Sequence, residues 1–226
     1  MTMQHLENEL RRAGDPRKQA FADVIAGIHK SLGSDIPLSF VATPEKQLEI
    51  KRFSNEQKEA LKKEGYLNYA LTGESVKSLR DSGHKFWSDW HKSLPDFEAL
   101  GSMHSEVAIN PNKPFLPKSN NKTLTQQEEM VNKFSEELGK KVKGVKAIIG
   151  QVPDYVELEF AHLDSTKEYL FGAKDNYDYT RTKTPTSSSR VAVVGYFNAD
   201  SGLYVSHWNR VGSYGGVHAA PLVVAV

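Results

Sequence analysis

Cysteine is absent from the 226 residues. That removes disulfides, thiolate zinc sites, iron–sulfur clusters and cysteine nucleophiles together. No apolar run approaches the roughly 20 residues that a membrane helix requires. The opening MTMQHLENELRRAGDPRK lacks the apolar stretch of a secretory leader. The default expectation is therefore a cytoplasmic protein without membrane insertion, with surface display only by another route. Excess charge is lacking too: Lys+Arg 29 against Asp+Glu 28 leaves +1, which offers no electrostatic footprint for nucleic acid. With 38% hydrophobic and 25% charged residues the composition is that of a globular chain of one large or two small domains.

A second absence is local. The last lysine is Lys183, the last glutamate Glu168, the last glutamine Gln151 and the last methionine Met130. From Val191 to Val226 only Asp200 and Arg210 are charged, where 25% of 36 positions would be about nine. Tyrosine, serine, asparagine and histidine take their place, spaced by glycine and valine. Such a composition suits a recognition surface, since tyrosine supplies contact area at low entropic cost and small polar groups adapt their hydrogen bonds. Alternation in Tyr196/Asn198 and Tyr204/Ser206 directs these residues to one face of a strand, ahead of an apolar, structural AAPLVVAV.

The segment 1–100 reads as mainly helical. Phe21, Val24, Ile25 and Ile28 follow a helical period after Asp15-Pro16, Gly33 suits the helix end, and the residues after it look extended. A second helix is predicted from Ser54 to Lys63, stopped by Gly65. A third starts at Thr72 or Ser75 and runs to His91, with Gly83 a weak point and Pro95 ending the pattern. From about Gly101 the chain reads β–α–β–α with a β-rich end: HSEVAI as a strand, PNKPFLPKSNN as a loop, TLTQQEEMVNKFSEELGKKV as an amphipathic helix, and KAIIG as a strand. The first helix is assigned a capping box of Thr125 and Glu128, with Met130, Phe134 and Leu138 on one face. PDYVELEFAHL is ambiguous, because Val156, Leu158 and Phe160 alternate; Pro153-Asp154 and a box of Asp154 with Glu157 favour helix. Strands follow from Arg190.

PDYVELEFAH followed by EYLFG resembles the helix motif of the formylglycine-generating-enzyme type of C-type lectin fold, Pro-Thr-Glu-Ala-Glu-Trp-Glu-Tyr-Ala-Ala before Tyr-Pro-Trp-Gly. Pro153, Glu157, Glu159, Phe160 and Ala161 match, and Leu158 stands where Trp is usual. The stretch RVAVVGYFNADSGLYVSHWNRVGSYGGVHAAPLVV is similar to the C-terminal variable region of diversity-generating retroelement target proteins, which use this fold. In that family an error-prone reverse transcriptase rewrites adenines of a template repeat. Asn codons so altered yield Tyr, Ser, His, Asp, Gly or Asn among others, never Lys, Glu, Gln, Met or Trp. The resemblance thus implies that Trp208 and Arg210 are largely scaffold. It covers roughly Ser102 to Val226; the family's Gly-Gly-Ser-Trp phrase is replaced by VVGYF, and the first 100 residues fall outside it.

Other constellations have simpler readings. His84, Trp87, Trp90 and His91 in GHKFWSDWHK lack a third metal ligand and suit aromatic packing toward a core or neighbouring domain. Lys140 to Lys146 lies at a helix C-terminus, where cations complement the dipole. TGES (Thr72 to Ser75) starts a helix and lacks the spacing of a phosphate loop. His162 and Asp164 near Glu157 and Glu159 make no acid–base site, with Glu157 a capping residue. The oxidase chemistry of the resembled enzymes needs cysteine, and the His-x3-His-x-Glu site of the related sulfoxide synthases is absent. Asp175, Asn176, Asp178 and Asp200 lack the Glu-Pro-Asn signature of calcium-dependent lectins, so no metal or cofactor is assigned.

The expectation is an α+β chain: a mainly helical region 1–100, then a C-type lectin-like domain 101–226 of two helices around small antiparallel sheets, variable over about 190–220. It is expected to be non-enzymatic and to bind varied protein or surface ligands through Tyr196, Asn198, Ser201, Tyr204, Ser206, His207, Asn209, Ser213, Tyr214 and His218. The alternative is an undiversified domain of this fold, or an enzyme relative with a fixed ligand.

Overall fold

A computed structural model describes residues 51–88, 90–171 and 178–226, together with 22, 23 and 26. The chain divides into two compact units, Met1–Leu48 and Glu49–Val226. The second carries the fold set out below. The helix expected after Asp15, the extended stretch after Gly33, and Asp175 and Asn176 lie outside the described residues.

Helix α1, Asn55–Lys63, begins where Ser54 and Gln57 exchange side-chain and main-chain hydrogen bonds, and Gly65 at φ 85° turns the chain out of it. The residues after it form a strand, β1 (Leu67–Thr72), in which Tyr69 and Leu71 point inward. Helix α2 is short, Val76–Asp81, capped by Ser75. The expected run to His91 ends at Gly83, whose φ of 101° accompanies N–H bonds from Gly83 to Arg80 and from His84 to Leu79. A 3-10 turn, Trp90–Ser93, and α3, Pro95–Ala99, follow, so Pro95 opens a helix rather than closing one.

Then come β2 (His104–Ile109), α4 (Leu124–Lys141), β3 (Val145–Ile148), α5 (Val152–Thr166), β4 (Tyr179–Pro185), β5 (Arg190–Asn198), β6 (Gly202–Asn209), β7 (Val217–His218) and β8 (Leu222–Ala225). The architecture is mixed α+β with two four-stranded sheets, ordered β1-β2-β8-β3 and β6-β5-β4-β7. Every pairing is antiparallel except β4 with β7. Because β1 pairs along its length with β2, the segment 49–100 joins the C-terminal unit, and the expected division near residue 100 does not separate two folds.

The capping box of α4 is Thr123 with Gln126, two residues ahead of the expected pair. Its buried stripe is Leu124, Gln127, Val131 and Leu138, with Phe134 partly buried and Met130 off it. Helix α5 is buried on every side from Val152 to Phe160, which is why its apolar residues show no clean helical period. Three of its four carboxylates, those of Asp154, Glu157 and Glu159, are buried and serve main-chain donors, while Asp164 is exposed. Asp154 accepts from Met103 N at 2.8 Å and Gln151 N at 2.7 Å. Glu157 accepts from Thr72 N and Thr72 Oγ1, both at 2.9 Å, and from Ser102 Oγ. Glu159 accepts from Phe171 N at 2.9 Å. The expected Asp154–Glu157 box is therefore not formed: Asp154 caps Gln151, and Glu157 ties α5 to the loops flanking β1 and β2. Among the described residues no helix is long and apolar enough to cross a membrane.

Candidate functional site

None of the ten residues assigned to the face is in the core; all are exposed or half-buried. Alternation does this on β6, where Tyr204 and Ser206 emerge between buried Leu203 and Val205. The face is not single, however. Directly paired residues of antiparallel strands share a side, and Gly195, Val193 and Val191 pair with Tyr204, Ser206 and Trp208. Ala192 and Arg190 pair with His207 and Asn209, which therefore lie on the opposite side of the sheet. His218 is on β7, at the far edge, where its ring stacks on Phe115 at 4.8 Å and its Nε2 meets Asp178 Oδ1 at 3.2 Å.

Three of the ten side chains shape turns. Asn198 Oδ1 accepts from Ser201 N at 2.9 Å and Ser201 Oγ at 2.8 Å, closing the β5–β6 connection. Asn209 Oδ1 accepts from Val211 N at 2.9 Å. Tyr196 sits at φ 49°, in the left-handed region, at the register shift after Gly195, so the strand's alternation does not set its direction. His207 Nε2 lies 2.6 Å from Arg190 Nη1, and partial burial together with the Arg190 charge lowers its pKa, so the imidazole accepts the guanidinium N–H.

Two tryptophans extend the aromatic surface. Trp87 stacks on Tyr204 with ring centroids 4.4 Å apart and planes at 9°, and Tyr196 meets Tyr204 edge-on at 4.9 Å. Trp208 lies 4.8 Å from Tyr214. The aromatics of this run were expected to pack toward a core or a neighbouring domain; Trp87 is 52% exposed, and Phe86 and His91, from the same run, are the inward residues. Main-chain pairing places it: Leu203 N donates to Lys85 O and Trp87 N to Leu203 O, so Lys85–Trp87 lines the free edge of β6. Only the proximity of this segment to β6, invisible in the sequence, could have revealed the role.

The loop 210–216 is held by earlier segments of the chain. Leu124 N donates to Arg210 O at 2.9 Å, Asn121 N to Tyr214 O at 3.0 Å, and Tyr179 N to Gly216 O at 2.8 Å. Asn120 Nδ2 reaches Gly215 O at 3.1 Å. Beneath it Arg181, fully buried, donates from Nη1 to Arg210 O at 3.1 Å and from Nη2 to Gly212 O at 3.0 Å. Burial lowers its pKa to about 10, leaving it charged near neutral pH. These bonds to the loop all end on its main-chain oxygens, so its path does not depend on which side chains occupy 213 and 214.

Elsewhere the titratable groups are engaged in packing. His162 Nδ1 lies 2.6 Å from Tyr69 Oη in the core, where burial lowers the imidazole pKa. His91 pairs with Glu98, which also binds Arg80. Among the described residues no group of three or more His, Asp or Glu is placed to hold a metal ion. Comparison with protein-family models, with curated proteins and with solved structures gave no match for this chain.

Proposed function

We propose that the chain is a non-enzymatic ligand-binding protein with a C-type lectin-like domain whose C-terminal surface is diversified by a retroelement reverse transcriptase. The observation that carries this reading is the separation of roles along the last strands. Apolar residues between Val191 and Val205 fill the core, while the Tyr, Ser, Asn and His positions lie at the surface on a backbone pinned by residues outside the stretch. A surface of that kind can exchange side chains without losing its fold. The domain assignment is supported by two long helices and two small sheets, with the last strand β8 returning between β2 and β3. It is supported as well by the glutamates of the helix motif, both buried and both receiving main-chain N–H groups from other segments.

Deep sequencing of the 3′ end of the gene across a source population tests the proposal. Substitutions confined to codons between about 196 and 218, beside a near-repeat and a reverse-transcriptase gene, are expected; a uniform end without a repeat overturns it. The physical counterpart is the triple variant Tyr196→Ala, Tyr204→Ala, Tyr214→Ala. Three lost ring contacts of about 0.5–1.5 kcal/mol each predict a total of about 3 kcal/mol by chemical denaturation. A loss well above about 4 kcal/mol would show these tyrosines to be core residues.

A further inference from the structure

We infer that the loop 210–216 is a receptor for a carboxylate presented by a protein partner, a property that rests on the binding role proposed above and specifies the chemistry of the ligand. The argument begins with the loop's main chain. Five of its seven carbonyl groups, those of Arg210, Gly212, Tyr214, Gly215 and Gly216, accept hydrogen bonds, all but one of these bonds from residues outside the loop and its flank. The five consecutive N–H groups from Gly212 to Gly216 have no acceptor among the described residues. No peptide bond among the described residues is cis, and in a trans peptide the N–H points opposite to the C=O. Carbonyls turned toward Arg181, Asn120 and Asn121 therefore turn the N–H groups of Ser213, Gly215 and Gly216 away from that support. All three residues lie at the surface. The loop consumes its acceptors internally and presents donors outward, the polarity that receives an anion.

Two exposed arginines flank the loop, and the carboxylate beside its other end, Asp178, is engaged by His218 at 3.2 Å. Arg210 and Arg190 are exposed, and they are neighbours because Arg190 pairs with Asn209 and Arg210 N donates to Ser189 O. Arg181 lies under the loop without a counter-ion, and its Nε has no partner. No carboxylate among the described residues pairs with any of the three. A buried charge that is not neutralised acts over a longer range than a hydrated one. Trp208 and Tyr214 stand beside this donor array, and Trp, Tyr and Arg are the residue types that dominate protein–protein hot spots. Aromatic area for an apolar side chain next to a donor array for a carboxylate matches an acidic protein surface. The donors belong to the backbone, so substitution at Ser213 or Tyr214 would alter the shape of the site and leave its preference for negative charge intact.

The test uses the full 15N-labelled chain. The probe is an acetylated, amidated peptide of alternating Glu and Tyr, compared with the same peptide carrying Gln for Glu. Saturable shifts of the Ser213, Gly215 and Gly216 amides are expected with the acidic peptide, with at least tenfold weaker binding of the Gln peptide. The Arg190→Ser, Arg210→Ser variant, altered only at exposed side chains, should weaken the acidic peptide at least fivefold while its remaining amide spectrum is unchanged. Unmoved loop amides, or equal binding of the two peptides, overturn the inference. Shifts confined to Trp87, Tyr204 and Ser206 also overturn it while leaving the binding role standing. Tighter binding of a twelve-residue oligothymidylate at the same amides would assign the site to nucleic acid instead.

Discussion

At pH 9 the Glu159→Gln variant is expected to be more stable than the parent chain by several kcal/mol, and the difference should vanish near pH 4. Glu159 is fully buried in α5, with one carboxylate oxygen bonded to Phe171 N and the other without a partner. Burial raises its pKa from 4.5 to about 8. Because the folded value lies above the unfolded one, the folded chain holds a proton that the unfolded chain has released between these two values. The stability this group provides is complete below pH 4.5 and declines as the pH rises toward 8. Each pH unit of that window corresponds to about 1.4 kcal/mol. Glutamine keeps the acceptor for Phe171 N and removes the titration, so the groups that still titrate in both proteins, such as His162 and His207, cancel in the difference between the two curves. Urea denaturation at pH 4, 6, 7.5 and 9 measures both curves. Parallel curves for the two proteins would show that Glu159 does not titrate on unfolding in this range.

The same helix shows what could be read from the sequence and what could not. Pro153 and Asp154 marked the start of α5, which runs three residues past the expected PDYVELEFAHL to end at Thr166. The partners of its carboxylates were out of reach, since Thr72 and Ser102 are 85 and 55 residues away. For α4 the sequence reading placed the capping box at Thr125–Glu128, and the structure forms it at Thr123–Gln126. The choice follows from burial of Leu124 inside the helix, a tertiary fact. Strand β1 was hidden because LNYALT is short and lies between two helices; its Tyr69/Leu71 alternation acquires meaning only when β2 is beside it. The surface character of the ten candidate residues was legible, since small polar groups alternated with Val and Leu. Their division between two sides of the sheet was not, because Arg190–Asn209 register depends on how the β5–β6 turn closes at Asn198 and Ser201. Nor was the inward turn of the loop carbonyls, which depends on Arg181 and the segment around Asn120.

Two glycines at similar backbone angles separate conformational strain from space. Gly202 has φ 85° and Gly83 φ 101°. A Cβ on Gly202 would lie 2.4 Å from Lys85 O and 2.6 Å from Lys85 C, whereas one on Gly83 meets nothing within 4 Å. Gly83→Ala should therefore cost only the strain of a side chain in the left-handed region, about 1 kcal/mol. Gly202→Ala should cost about 3 kcal/mol or more, because a backbone segment must move as well. That segment is Lys85–Trp87, whose bonds to Leu203 hold Trp87 against Tyr204. Its displacement would unstack the pair, so the Gly202→Ala chain should show red-shifted tryptophan emission and faster amide exchange at Trp87 and Leu203, with the exchange of β8 unaffected. Equal losses for the two variants would mean that the 85–87 segment is not seated on β6, and Trp87 would then have no fixed place beside Tyr204 and Tyr196. A larger loss confined to Gly202→Ala would establish that one aromatic side chain of the surface is supplied by a segment more than a hundred residues before β5 and β6 and is seated there by main-chain bonds to Leu203.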